Sequence, residues 1–162
     1  MALTYIQLLI LLLSSSMFLG VTVASKAFNY GSPRPTSDNI PNRIIVGGSA
    51  NWSFGFDYPS WAFKHGSFYV NDTLVFKYNV PSENNTHPHN VYLLPNMRSF
   101  LSCNISKGVK IANESQGAGE GFEFVLNKWK PYYFVCGATD GYHCNVGGMK
   151  FFVLPLLRRW HY

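Results

Sequence analysis

Residues Tyr132 to Phe152 read YYFVCGATDGYHCNVGGMKFF. An apolar, strand-like run ends at Cys136, a polar Gly-rich loop carries His143, and Met149 opens a second apolar run. A thiolate, an imidazole and a thioether thus fall on one loop between two β-type segments. Those donors belong together on copper. Copper(I) prefers soft sulfur, copper(II) accepts imidazole, and a plane of two His and one Cys with a weak axial Met is a compromise between the two. The loop lacks the second imidazole, and His89, in Thr86 to Leu94 (THPHNVYLL), is placed to supply it at the start of an apolar run. A loop on a rigid β scaffold fixes three donors together while one imidazole edge approaches the surface.

The rest of the chain fits a scaffold of that kind. Its 162 residues are 47% hydrophobic, 17% aromatic and only 13% charged, enough apolar material for one sizeable core. Short β-branched and aromatic runs recur at Ile44 to Val46, Phe68 to Val70, Thr73 to Tyr78, Asn90 to Leu94, Gly121 to Leu126, Pro131 to Cys136 and Lys150 to Leu154. Gly, Asn, Asp or Pro punctuates most of them. Leu74, Phe76 and Tyr78 alternate with Val75 and Lys77, and Phe122, Phe124 and Leu126 alternate with Glu123 and Val125, the period of strands with one buried face. These runs predict an all-β Greek-key sandwich or barrel over residues 44–157. Helix is expected only at Tyr58 to Lys64 and Met97 to Cys103.

Residues 1–24 have the form of a signal peptide, with Ile6 to Leu13 as the apolar region and Thr22-Val23-Ala24 as a small-residue cleavage site. The same stretch is long enough to span a membrane if it is retained. Residues 25–43, with three prolines and no apolar period, predict an extended arm, and 158–162 a short tail. Sequons at Asn51, Asn71, Asn84, Asn104 and Asn113 point to an exported glycoprotein. Leu154 to Leu157 is too short for a C-terminal hydrophobic signal and no Ser/Pro-rich spacer precedes it, so no lipid anchor is expected.

The net charge of +5 is scattered apart from Arg158-Arg159, which argues against nucleic acid as a partner. No Ser sits in a Gly-flanked elbow and no phosphate-cradling Gly loop opens a helix, so no enzymatic chemistry is expected. His87 reads as a solvated rim residue, His65 as a turn residue and His161 as part of the tail. Asn90, directly after a candidate ligand, is placed to bridge to the backbone of the loop that holds Cys136. Three cysteines leave one unpaired. If Cys136 holds metal, Cys103 pairs with Cys144; the alternative joins Cys136 to Cys144 and leaves Cys103 free. The residues alone leave both open.

Residues 44–157 resemble the plant phytocyanin domain, the plastocyanin-like blue copper family that includes stellacyanins, plantacyanins, uclacyanins and early nodulin-like proteins. The resemblance rests on Val46-Gly47-Gly48 before Trp52, on Tyr58 and Trp61-Ala62 ahead of Phe68, and on Asn71 to Tyr78. It continues through His89-Asn90-Val91, Cys103-Asn104, Tyr133 to Gly137, His143-Cys144 and Gly148-Met149-Lys150. The resemblance implies a cupredoxin-like Greek-key fold and one type 1 copper ion held by His89, Cys136, His143 and axial Met149. It also implies a Cys103 to Cys144 disulfide. The chain departs from the family in loop length: six residues separate Cys136 from His143 and five separate His143 from Met149, where the family usually has four in each place. The expectation is a secreted, monomeric electron carrier whose redox partner is unknown. The alternative is a copper-free cupredoxin-like module that binds a component of the extracellular matrix.

Overall fold

Two sheets face each other across an aromatic core, and both sheets take their strands from distant parts of the chain. The structure, a computed structural model, describes residues 40–83 and 86–158. The expected leader, the arm up to residue 39, Asn84 and residues 159–162 lie outside the described residues. In the first sheet β1 (Arg43–Ile45) runs parallel to β2 (Thr73–Phe76), which pairs antiparallel with β5 (Phe122–Val125). In the second, the order is β4 (Val109–Ala112), β3 (Val91–Leu94), β6 (Tyr132–Val135) and β7 (Lys150–Val153), all antiparallel. The expectation of an all-β fold holds.

Trp52, Tyr58, Phe76, Phe134 and Phe151 are buried between the sheets, with Trp52 edge-on to Phe76 at 5.3 Å and Phe134 against Phe151 at 5.3 Å. Such aromatic pairs add about 0.5–1.5 kcal/mol each beyond the area they bury. The Phe122/Phe124/Leu126 face turns inward while Glu123 and Val125 are exposed, as the alternation predicts. Val75 is buried as well, against the expected alternation of β2.

Two helices lie near their expected places: α1 (Tyr58–His65), capped by Asp57 accepting from Ser60 N, and α2 (Met97–Leu101), capped by Asn96 accepting from Ser99 N. The expected strand at Phe68 to Val70 is instead a single bridge from Tyr69 to Leu156. A tight turn stops it there, because Asp72 Oδ2 accepts from Tyr69 N and Asn71 is left-handed. Asp72, wholly buried, also accepts from Asn42 N and from Arg158, which ties the end of the domain to its beginning. The edge strand β4 falls outside the expected runs, although Val109 and Ile111 alternate with Lys110 between Gly108 and Asn113. Among the described residues no helix is long and apolar enough to cross a membrane.

Candidate metal centre

The site is built where two neighbouring strands of the second sheet meet the long loop. His89 and Asn90 immediately precede β3, Cys136 immediately follows β6, and β3 and β6 pair with Tyr92 opposite Val135. Continued by one residue, that register sets Val91 opposite Cys136, so the ladder brings His89 and Cys136 to the same end of the sheet. Asn90 then locks the two: its Oδ1 accepts from Gly137 N at 2.7 Å, and its Nδ2 donates to Glu114 Oε1 at 2.8 Å. Its own carbonyl accepts from Trp52 Nε1 at 3.0 Å. The bridging role expected of Asn90 is thus present, and Glu114, held also by Lys110 Nζ at 3.1 Å, is a partner that the sequence did not suggest.

His143 arrives from the loop. The extra residues there are not slack. Thr139, Asp140 and Gly141 all take left-handed backbone (φ 51, 49 and 84°), which turns the chain within three residues and delivers Tyr142 to a short helix, α3 (Tyr142–Asn145). Two non-glycine residues in that region each cost about 1–2 kcal/mol, so the surrounding structure must hold them. The Cys103 to Cys144 disulfide, which the structure forms, anchors α3 next to His143, and Met149 N donates to His143 O at 3.0 Å. Met149 O in turn accepts from Cys136 N at 2.9 Å, so the Met149 backbone joins the other two loop donors. The Met149 side chain is fully buried in the core cluster that contains Cys136.

Three donors converge. His89 Nδ1 and His143 Nδ1 are 3.1 Å apart, and Cys136 Sγ is 3.5 Å from His143 Nδ1 and 4.0 Å from His89 Nδ1. With first-row metal bonds of about 2.0 Å to imidazole and about 2.3 Å to thiolate, a trigonal plane requires donors roughly 3.5 Å (N to N) and 3.7 Å (N to S) apart. The observed triangle fits an ion at its centre. Among the described residues, these three form the group of His, Cys, Asp or Glu able to hold a metal ion. Cys136 is a free, buried cysteine. His87 is exposed beside Thr86 and His65 is exposed at the end of α1, and neither is in that group.

Burial sets the electrostatics. It holds His89 down to about 4, helped by the neighbouring His143 and His87. His143 is lowered for the same reason, burial first and then His87. Burial pushes the Cys136 thiol up to about 11, against the hydrogen bonds from Asn90 and Ala138. The metal-free site therefore keeps neutral imidazoles and a protonated thiol at neutral pH. A cation that takes the thiolate displaces that proton, so its affinity rises with pH.

The imidazoles are unequal in their surroundings. His143 is only 2% exposed, with Phe54 edge-on at 5.3 Å, and Phe54 stacks in turn on Tyr142 at 5.9 Å. Gly147 makes room for this cap, since a Cβ there would meet the Phe54 ring at 2.4 Å. His89 is half-buried. Phe54 carries no motif, and only its place two residues after Trp52 could have drawn notice.

The comparisons with known proteins agree with this geometry. A family model described as the plastocyanin-like domain matches residues 52–149. A blue copper protein of Petunia hybrida is 31% identical over 120 residues, which cover 70% of this chain; the chain spans 37% of that relative's length. Cucumber stellacyanin, solved with Cu2+, superposes with a TM-score of 0.58 at 26% identity, covering 74% of this chain and all of that one. Cucumber basic protein, a blue copper protein, gives 0.52 at 32% identity, covering 70% and 99%. With the family model spanning the whole ligand region, the chain belongs to the plastocyanin-like blue copper family and is of phytocyanin type.

Proposed function

We propose that this protein binds one type 1 copper ion, which His89, Cys136 and His143 would hold together with the Met149 thioether, and carries single electrons. The observation that carries this reading is the triangle of two Nδ1 atoms and one Sγ, all within 4.8 Å of one another, with Cys136 and His143 buried and His89 half-buried. When bound, copper supplies a one-electron couple between its two oxidation states. The chain's own part is to hold the donors still. Asn90 fixes the His89 and Cys136 segments against each other, and the disulfide fixes α3, so little has to move as charge comes and goes. Burial excludes water from the thiolate.

Export to the cell exterior as a monomeric glycoprotein belongs to the same proposal. It is supported by the disulfide, which persists in oxidising compartments. The asparagines of the four described sequons, Asn51, Asn71, Asn104 and Asn113, are all exposed. In two of them the sequon serine already donates to the asparagine: Ser106 Oγ to Asn104 at 2.7 Å and Ser115 Oγ to Asn113 at 2.8 Å.

The test is an absorption spectrum after loading with copper(II). A copper thiolate gives an intense visible charge-transfer band, which Cys136→Ser should abolish. A protein that takes up no copper, or binds it without that band, leaves the copper-free matrix-binding module as the better account.

A further inference from the structure

The two candidate ligand imidazoles differ in access, and the difference points to where electrons enter. His143 is sealed beneath the rings of Phe54 and Tyr142, residues that are themselves 46% and 51% exposed. His89 is not sealed. It lines a cleft of ≈ 160 Å³ together with Asn51, Ser53, Lys77 and Asn79. That cleft shares Asn51, Lys77 and Asn79 with an adjoining hollow of ≈ 580 Å³ that reaches Ser82 and the Gly117 to Gly119 turn.

The part beside His89 is mostly polar, the larger hollow is mixed, and among the described residues the lining of both contains no carboxylate and includes Lys77 as its cation. The part beside His89 is smaller than the roughly 300 Å³ at which sites for drug-sized molecules begin. It suits a small hydrophilic molecule, and Lys77 favours one with negative charge. A flat apolar partner would instead meet the Phe54/Tyr142 cap, where the imidazole edge of His143 is covered.

Resting on the copper-carrier reading above, we infer that His89 is the electron port of this protein and that the cleft lined by Asn51, Ser53, Lys77 and Asn79, open while the Asn51 sequon carries no glycan, receives a small anionic one-electron donor. The donor gives up one electron and leaves in its one-electron oxidised form. No covalent bond to the protein forms, a proton shed by the oxidised donor goes to solvent, and the electron is taken up by the one-electron couple of the proposed function. The lengthened loop has a role in this arrangement: its left-handed turn carries Tyr142 onto Phe54 and so closes the other imidazole.

Two measurements test the inference, and the first needs no metal. Diethyl pyrocarbonate labelling of the metal-free protein, mapped by mass spectrometry, should modify His89 and spare His143, and Phe54→Ala should bring His143 into the labelled set. Labelling of His143 ahead of His89 in the wild-type protein overturns the port assignment. The second measurement is stopped-flow reduction of the copper-loaded protein by ascorbate, an anion, and by hexaammineruthenium(II), a cation. Lys77→Glu should slow ascorbate by about tenfold and speed the cation. Asn79→Trp, which fills the cleft, should slow both, and Phe54→Ala should change either by less than about twofold. Rates that respond to Phe54→Ala and ignore Lys77→Glu and Asn79→Trp place the port at His143 and refute the inference. If no copper loads, the carrier reading fails by itself, while the labelling still decides which imidazole is open.

Discussion

The two halves of the metal centre are held by different physics. His89 and Cys136 are attached to adjacent strands, so the β3/β6 ladder sets their separation and Asn90 adds one buried bond between their backbones. His143 and Met149 belong to a long loop with a single turn of helix, and their places depend on a left-handed turn, a few backbone bonds and a covalent link to Cys103. The first half is stabilised by what stabilises the domain. The second is stabilised locally, which makes it the part that can be loosened without unfolding the rest.

Cutting the covalent link should expose that difference most strongly. The Cys103→Ser/Cys144→Ser double variant releases a closure between residues 41 apart, which should lower stability by about 2–4 kcal/mol in urea unfolding. Hydrogen exchange should rise through residues 137–149 and much less at Tyr92 and Val135. Equal acceleration in both places would mean that the two halves are one cooperative unit.

A change of pH probes the halves jointly in the metal-free protein. His89 is held near 4 in the fold against an ordinary value of 6.5, so between those values the unfolded chain binds a proton that the native state refuses. Stability is therefore unaffected by this group above pH 6.5 and declines as pH falls toward 4. The loss is at most about 3 kcal/mol, less to the extent that the partly exposed ring finds water. His143 moves in the same direction. Thermal melts of wild type and His89→Leu at pH 7, 5 and 4 isolate this contribution; parallel losses in the two proteins would remove His89 as its source.

The strand-borne half is also the half legible in the sequence. His89 before an apolar run and Cys136 at the end of one are positions that alternation and punctuation can place, and Asn90 follows directly from the first. The loop half can be recognised by its residue types but not built from them. Nothing in ATDGYHCNVGG shows that Thr139 and Asp140 turn left-handed or that Tyr142 starts a helix, because both outcomes depend on contacts with remote segments. The same holds for Phe54, whose contact with His143 joins segments 89 residues apart. The turn after Tyr69 defeats a strand expectation for a comparable reason: Asp72 there satisfies the backbone of Tyr69 and Asn42 and binds Arg158 at the far end of the domain.

A smaller effect is expected from the bond that joins the strand-borne donors. Asn90→Leu removes the acceptor of the Gly137 N–H and the donor to Glu114, which should lower stability by about 1–2 kcal/mol. Its spectroscopic effect should exceed its stability effect, because the bond sits one residue from each of two donors. Asn90→Asp keeps an acceptor for Gly137 N while facing Glu114 with like charge, so at neutral pH it should retain more of the visible band than Asn90→Leu does. The band intensities of the two copper-loaded variants check this, and equal loss in both would assign the effect to the Glu114 contact instead of the Gly137 bond.

The least disturbance is expected at Met149. A Met to Leu change conserves volume, and at this fully buried position it should alter stability by less than about 1 kcal/mol. Its backbone bonds to His143 and Cys136 remain, so the loop keeps its course. What would be lost is the proposed fourth donor, the weakest of the set. A site left with two imidazoles and a thiolate should keep the visible band, and without the axial thioether its reduction potential should rise, as the axial group tunes this type of centre. Titrating the copper-loaded Met149→Leu protein against a redox buffer measures this directly. An unchanged potential would remove Met149 from the ligand set and leave the loop contributing His143 alone, whereas loss of the band would show that the thioether holds the loop half of the site in place.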